Sequence, residues 1–485
     1  NMRKATAFFL TAFLFFFFSC GSKEEAPLKL VAIGDSTVMG IQDMGLLVDY
    51  QHKSFPYLIA KQLGIAGEFE QPYVRSPGIS SPPYERPLEL QNGQIIAHYL
   101  PDNITEQQLF QLITQRLDNA LLERPYDNLG IGGAQLFDVR RTTGSTNSVR
   151  PNNIFFDVVL RNLYVPPYPY FNNTTVLQQA TQLEPNIILL WIGNNDILQA
   201  VTKGGDGDLI TDPTDFRNEF TRLLSDLRAH TDASIIMGNI PGYLPYGYAL
   251  DKIFIDGLGP VVFSITNFEP IDFREVIGGQ SPVYIPLLLK EDNVEHLTLN
   301  AGVEYLENGM GIPDVDDLQD APYLFDLDEA QALVTEMSNR GLNIIGDDFG
   351  NPLKGDNTIS ESEKQVILDT IGEYNLILED LSSQFKVPLV DIYHLWDPDA
   401  DVPFGGYSGE FVLLDQENTI FSLDGVHVNN LGHALLANAF IDVMNDRLQM
   451  GIQKLDPEDY RGQYIGKDIK RSSIKALKEV KNTCF

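Results

Sequence analysis

The chain has 485 residues, 43% of them apolar, and carries 67 acidic against 34 basic side chains, a formal net charge of −33. That length suits two or three domains or one enlarged α/β domain, with ample material for a large core. So acidic a surface repels nucleic acid and anionic lipid heads, which excludes nucleic acid as a main partner and says little about chemistry.

Arg3 and Lys4 lead into Ala5 to Ser19, which contains AFFLTAFLFFFFS. A basic start, a short apolar run and small residues at its end read as an export signal, because the run is too short for a comfortable membrane span. Cys20 follows directly, in FFSCGS, and resembles the lipidation site of a bacterial lipoprotein. The expectation is a lipoprotein signal peptide over 1–20 ending at a lipidated Cys20 and a tether over 21–27, whose GSKEE resembles a surface-lipoprotein export signal. The protein would then sit in the bacterial cell envelope, in the outer membrane, touching lipid only through its N-terminal anchor. With Cys20 acylated, Cys484 has no partner for an internal disulfide, so the fold must rest on its core.

Leu28 to Ile33 is a nearly continuous apolar run, the pattern of a strand covered on both faces in a parallel sheet, and it stops at Gly34-Asp35-Ser36. Ser36 therefore stands at the carboxyl end of a strand, where ligand crevices of open α/β sheets lie. Ser54 to Leu63 has helical spacing and ends at Gly64, as a first crossover helix should. Residues 65–125, rich in Pro and Tyr, read as an irregular excursion along the site. In Tyr126 to Arg140 the packed Gly130, Gly132 and Gly133 precede a helical run; they allow close backbone approach to a ligand but lack the dinucleotide-binding spacing.

Asn186 to Ile192 predicts a second buried strand, ending at Gly193-Asn194-Asn195-Asp196. A helix from Thr214 with Phe216, Phe220, Leu223, Leu224 and Leu227 on one face and a third strand at Ala233 to Met237 complete a βαβ rhythm. Residues 243–355 break that rhythm and read as an insertion forming a lid or subdomain. Ser360 and Glu363 have capping-box spacing at the head of a long helix, and Val387 to Ile392 predicts another strand. Asp424 and His427 sit three apart before an apolar helix. The expected main domain is 28–450, with excursions at about 65–125 and 243–355 and a C-terminal tail over 451–485, whose lysines read as solvated.

Taken in order, Gly34-Asp35-Ser36, Gly133 within NLGIGGA, Gly193-Asn194-Asn195-Asp196 and Asp424-Gly425-Val426-His427 resemble the four blocks of the SGNH or GDSL hydrolase family. The resemblance implies a three-layer α/β/α sandwich with a flavodoxin-like parallel sheet. It implies Ser36 as nucleophile, His427 as general base and Asp424 as its orienting carboxylate. It also implies an oxyanion hole from the Ser36 and Gly133 N–H groups and the Asn195 side-chain amide, with no cofactor and no metal. The residue types suit those roles, since a serine hydroxyl needs a base to take its proton and an imidazole titrating near neutrality can take and return it. Asp35 and Asp196 read as turn-holding residues and His433 as packing.

Other hydrolase classes lack support, because no G-x-S-x-G and no H-E-x-x-H occurs. Gly204 to Asp208, GGDGD, reads as a solvated loop rather than a calcium site. The expected activity is a serine esterase acting through an acyl-enzyme on lipid, short acyl or O-acetyl carbohydrate esters. The reading of another class is a surface lipoprotein that binds glycan or lipid without catalysis.

Overall fold

The computed structural model describes residues 28–91, 94–163, 167–242, 248–249, 254–255, 259–264, 270–291, 293–320, 323–397, 400–409, 415 and 417–462. Cys20, Cys484, the expected export signal and the lysine-rich end lie outside them.

The apolar runs do become strands. β1 is Leu30–Gly34, β2 Asn128–Gly130, β3 Ile187–Trp191, β4 Ser234–Gly238 and β5 Leu389–Val390. They form one five-stranded sheet ordered β5-β4-β3-β1-β2. Every pairing in it is parallel. This is the flavodoxin-like order expected from the sequence, in which ligands bind where the order reverses, between the carboxyl ends of β1 and β3.

Alternate residues of a strand face opposite sides, and β1 divides its side chains between two cores accordingly. Val31 and Ile33 join one core together with Phe216, Phe220, Leu224, Ile371 and Leu378, and Leu30 and Ala32 join the other with Phe55, Ile59, Leu436 and Phe440. The helices that supply these side chains make the outer layers. Phe216 to Leu224 belong to one that starts at Pro213 behind the Asp212 cap and runs to His230. Ile371 and Leu378 belong to Glu361–Phe385, where Ser360 and Glu363 close the expected capping box with bonds of 2.7 and 3.4 Å. On the other face, Phe55 of Phe55–Gln62 stacks on Phe440 of Asn430–Leu448 at 4.9 Å.

Three expectations change. β2 is a strand that the reading of Tyr126 to Arg140 as packed glycines before a helical run did not include, because Asn-Leu-Gly offers only one apolar side chain to reveal it; Asn128 is buried by donating to the Val38 carbonyl at 2.8 Å. The predicted strand Val387 to Ile392 shrinks to β5, because Asp391 turns back to accept from the His394 N–H at 3.1 Å and starts a short helix. The 65–125 excursion is more ordered than its composition suggests: it holds an antiparallel pair, Glu89–Gln91 with Gln94–Ile96, and a helix, Glu106–Arg116, capped by Thr105 and Gln108.

Residues of the 243–355 insertion build a core of their own, around Val262, Phe273, Ile285, Ile312, Leu333 and Leu353. It joins the main body through Val294–Leu297, which pairs antiparallel with Thr358–Ser360 just before the Glu361–Phe385 helix.

Candidate active site

β1 ends against its neighbour so closely that a Cβ on Gly34 would lie 2.2 Å from the Trp191 carbonyl oxygen. Glycine is therefore required there, and the chain turns at once into α1, Ser36–Met39. Asp35 caps this turn, accepting from the Thr37 N–H at 3.0 Å with one oxygen and from Asn194 Nδ2 at 2.7 Å with the other. The end of β1 is thus fastened to the end of β3. Burial raises the Asp35 pKa above the usual carboxylate value, against the lowering effect of those hydrogen bonds and of His427. Ser36 is the first residue of α1, so its N–H has no partner within the helix.

Asp424 and His427 come from the loop before Asn430–Leu448. The Asp424 carboxylate accepts four N–H groups: Val426 and His427 backbone at 2.8 Å each, Met44 backbone at 2.6 Å, and His427 Nδ1 at 2.9 Å. Burial alone would push its pKa up, but the His427 charge and these donors hold it below the usual value. His427 is the converse case. Burial pulls its pKa down, and the charges of Asp424, Asp35 and Asp43 with the Asp424 hydrogen bond outweigh this and raise it.

Ser36 and His427 line one pocket of about 50 Å³, together with Asp35, Thr37, Trp191, Asn194, Asn195, Leu198, Pro241, Trp396, Phe421 and Val426. Among the described residues no direct hydrogen bond joins Ser36 to His427, a looseness common in catalytic pairs before substrate tightens them. No residue of 65–125 or 243–355 lines the pocket among those described. The first excursion instead packs Leu88 and Leu90 on Met44 and Leu423, behind the Asp424 loop.

Asn195 opens the helix after β3, and its Nδ2 donates to the Ala134 carbonyl at 3.0 Å. Gly133, one residue earlier, has φ +74 and is not part of the pocket lining. Asp196 ties the two turns together, accepting from the Leu136 N–H and from Thr211 Oγ1 at 2.9 Å each. Asp35 and Asp196 therefore do hold turns. His433 accepts from the Phe55 N–H at 3.3 Å inside the core, and burial lowers its pKa to about 3.

Burial raises the Asp196 pKa from 3.8 to about 7. Between those values the native carboxyl holds a proton that the unfolded one has released, so its contribution falls as pH rises through the window. An asparagine at this position can keep both bonds, accepting from Leu136 and donating to Thr211, without a charge. Asp196→Asn is therefore expected to gain on the wild type by about 4 kcal/mol between pH 4 and pH 8. Denaturation midpoints across that range check this; parallel curves for the two proteins would refute it.

Sequence reasoning did not pick out Asn194, Met44 or the aromatic wall. Asn194 sat in a quoted motif as a neighbour of Asn195. Met44 acts through its backbone N–H, which no side-chain pattern reveals.

Residues 30–277 match the family model described as GDSL-like Lipase/Acylhydrolase, just over half the chain. The chain belongs to that family. It is thus a hydrolase acting on ester bonds. The matched segment contains Ser36, Gly133 and Asn195 and stops before Asp424 and His427; in this GDSL hydrolase the fold returns His427 to the pocket of Ser36 and Asn195, with Asp424 bonded to its Nδ1. Among solved structures, the GDSL hydrolase is similar to LAE5, an alpha/beta hydrolase enzyme from the metagenome of Lake Arreo, Spain, at 12% identity and a TM-score of 0.33, covering 87% of this chain and 96% of that one. It is also similar to the acetyl xylan esterase AlAXEase at 11% identity and a TM-score of 0.29, covering 86% of this chain and 98% of that one. A search of curated proteins found no match.

Proposed function

We propose that this GDSL hydrolase cleaves carboxylic esters through an acyl-enzyme on Ser36. The observation that supports this most is the Asp424–His427 pair at 2.9 Å opening onto the pocket that holds Ser36. In this reading Ser36 Oγ attacks the ester carbonyl carbon while His427 Nε2 takes its proton. The carbonyl oxygen becomes an oxyanion, met by the Ser36 and Gly133 N–H groups and by Asn195, whose amide has a second N–H besides the one on Ala134. Collapse breaks the ester C–O bond, and the alcohol leaves with the proton from His427. Water, deprotonated by His427, then releases the acid and restores Ser36.

Labelling by a fluorophosphonate tests the nucleophile: a mass shift on the Ser36 peptide is expected, and labelling elsewhere or nowhere overturns the assignment. Asn195→Ala should lower kcat by about 10²- to 10³-fold with little change in KM, as loss of one oxyanion donor does. A loss confined to KM would assign Asn195 to substrate binding instead.

Residues 28–450 are proposed as one hydrolase domain with its two excursions, tethered to the outer membrane through a lipidated Cys20. Substrates in this setting would be lipid, short acyl or O-acetyl carbohydrate esters. Radiolabelled fatty acid incorporated into the full chain and lost in Cys20→Ala would support the anchor; equal labelling of both would refute it.

A further inference from the structure

The pocket around Ser36 has a floor and a rim that differ in kind. Trp191, Pro241, Trp396 and Phe421 are buried, whereas Thr37, Leu198, Val426 and His427 are only partly so. His427 keeps 15% of its side chain exposed, so the proton for the departing alcohol is delivered at the rim. The alcohol must also reach solvent before water attacks the acyl-enzyme. That leaves the buried aromatic floor to the acyl group.

Space there is short. A water-sized group needs roughly 10–15 Å³ on this measure, so about 50 Å³ holds roughly three to five non-hydrogen atoms. The tetrahedral carbon, its oxyanion and one methyl group already use most of that room.

The two tryptophans of the floor differ in how firmly they are held. Trp191 donates from Nε1 to the Asn239 carbonyl at 2.9 Å, and Phe55 packs edge-on against it at 5.9 Å. A Cβ on Gly238 would lie 2.7 Å from the Trp191 ring, so that face is closed by backbone. Trp396 packs edge-on against Trp191 at 5.9 Å, is 5% exposed, and its buried Nε1 has no hydrogen-bond partner among the described residues. Among the described residues its removal breaks no side-chain hydrogen bond, and it enlarges the pocket directly.

We propose that Trp396 sets the acyl specificity of this enzyme, closing the floor so that acetyl and propionyl esters are accepted and long acyl chains are refused. This inference rests on ester hydrolysis at Ser36. An apolar pocket discriminates by about 10- to 200-fold for a single misfitted methylene, so a chain several carbons too long is excluded strongly.

The test is kcat/KM of the full chain for p-nitrophenyl acetate, butyrate and octanoate, measured with wild type, Trp396→Ala and Trp396→Phe. Wild type should prefer acetate to octanoate by at least about 100-fold. Trp396→Ala should lower that ratio at least about tenfold, and Trp396→Phe should fall between the two. The ratio does not depend on how much of a variant is folded, and the phenylalanine variant decides the matter if the alanine one does not fold. Wild type that takes octanoate as readily as acetate, or active Trp396 variants with an unchanged ratio, would overturn the inference while leaving the esterase reading intact. Absence of Ser36-dependent turnover on all three esters would overturn both.

Discussion

Ser36→Ala should lower kcat for any accepted ester by about 10⁶-fold and leave the melting temperature unchanged. The catalytic half of that expectation follows from the chemistry: Ser36 is the only serine among the described residues that line the pocket with His427, and the oxyanion donors alone sustain only about 10³- to 10⁴-fold over water. The structural half follows from the local contacts. Ser36 Oγ makes none of the side-chain hydrogen bonds that hold the turn, which fall to Asp35 with Thr37 and Asn194. Alanine is also a good first-turn helix residue. Turnover and thermal unfolding measured on the same preparation check both halves. Turnover within tenfold of wild type would remove Ser36 from the nucleophile's role, and a large loss of stability would leave the kinetic loss without a chemical meaning.

The sheet was legible because its strands are buried on both faces and therefore written as unbroken apolar runs. β1 and β3 could be placed to within a residue or two, and with them the two turns at their carboxyl ends. β2 was not legible, since its polar Asn128 is accommodated by a hydrogen bond to a distant carbonyl rather than by an apolar pattern. The Asp424–His427 pair was legible because three residues of spacing lets one short turn close the bond between them. What supports that pair was not. Met44 reaches Asp424 through its backbone across a separation of 380 positions, and Asp43 fixes the same loop by accepting from the Leu423 N–H at 2.8 Å. Such contacts depend on the chain's path and not on residue type. The pocket walls show the same limit: Trp191 and Trp396 come from elements far apart in sequence and meet only once the sheet is assembled. The insertion was read as a lid or subdomain. Its described residues bury a hydrophobic cluster of their own, and none of them lines the pocket.

Asp424→Asn should lower kcat by about 10⁴-fold, a larger effect than loss of charge alone suggests, because the site would dictate the wrong imidazole tautomer. One Asp424 oxygen accepts from the Val426 and His427 N–H groups, and an asparagine Oδ1 can replace it there. The other oxygen accepts from Met44 N–H and His427 Nδ1, and the asparagine NH₂ that takes its place is a donor. His427 can then bond to it only with an unprotonated Nδ1, which puts the ring's proton on Nε2, the atom that receives the Ser36 proton in the proposed mechanism. The opposed Met44 N–H adds a stability loss of about 1–3 kcal/mol. A second signature separates this from simple disorder. With neutral His427 as the proposed base, wild-type kcat/KM should fall as pH drops through a pKa above 6.5, where the charges of Asp424, Asp35 and Asp43 hold it against burial. Without the Asp424 charge, burial pulls that pKa down, and the acid limb of the residual activity moves to lower pH. Rate profiles of wild type and variant between pH 5 and pH 9 read both effects. A variant within tenfold of wild type, with its acid limb unmoved, would show that Asp424 neither orients nor charges the base.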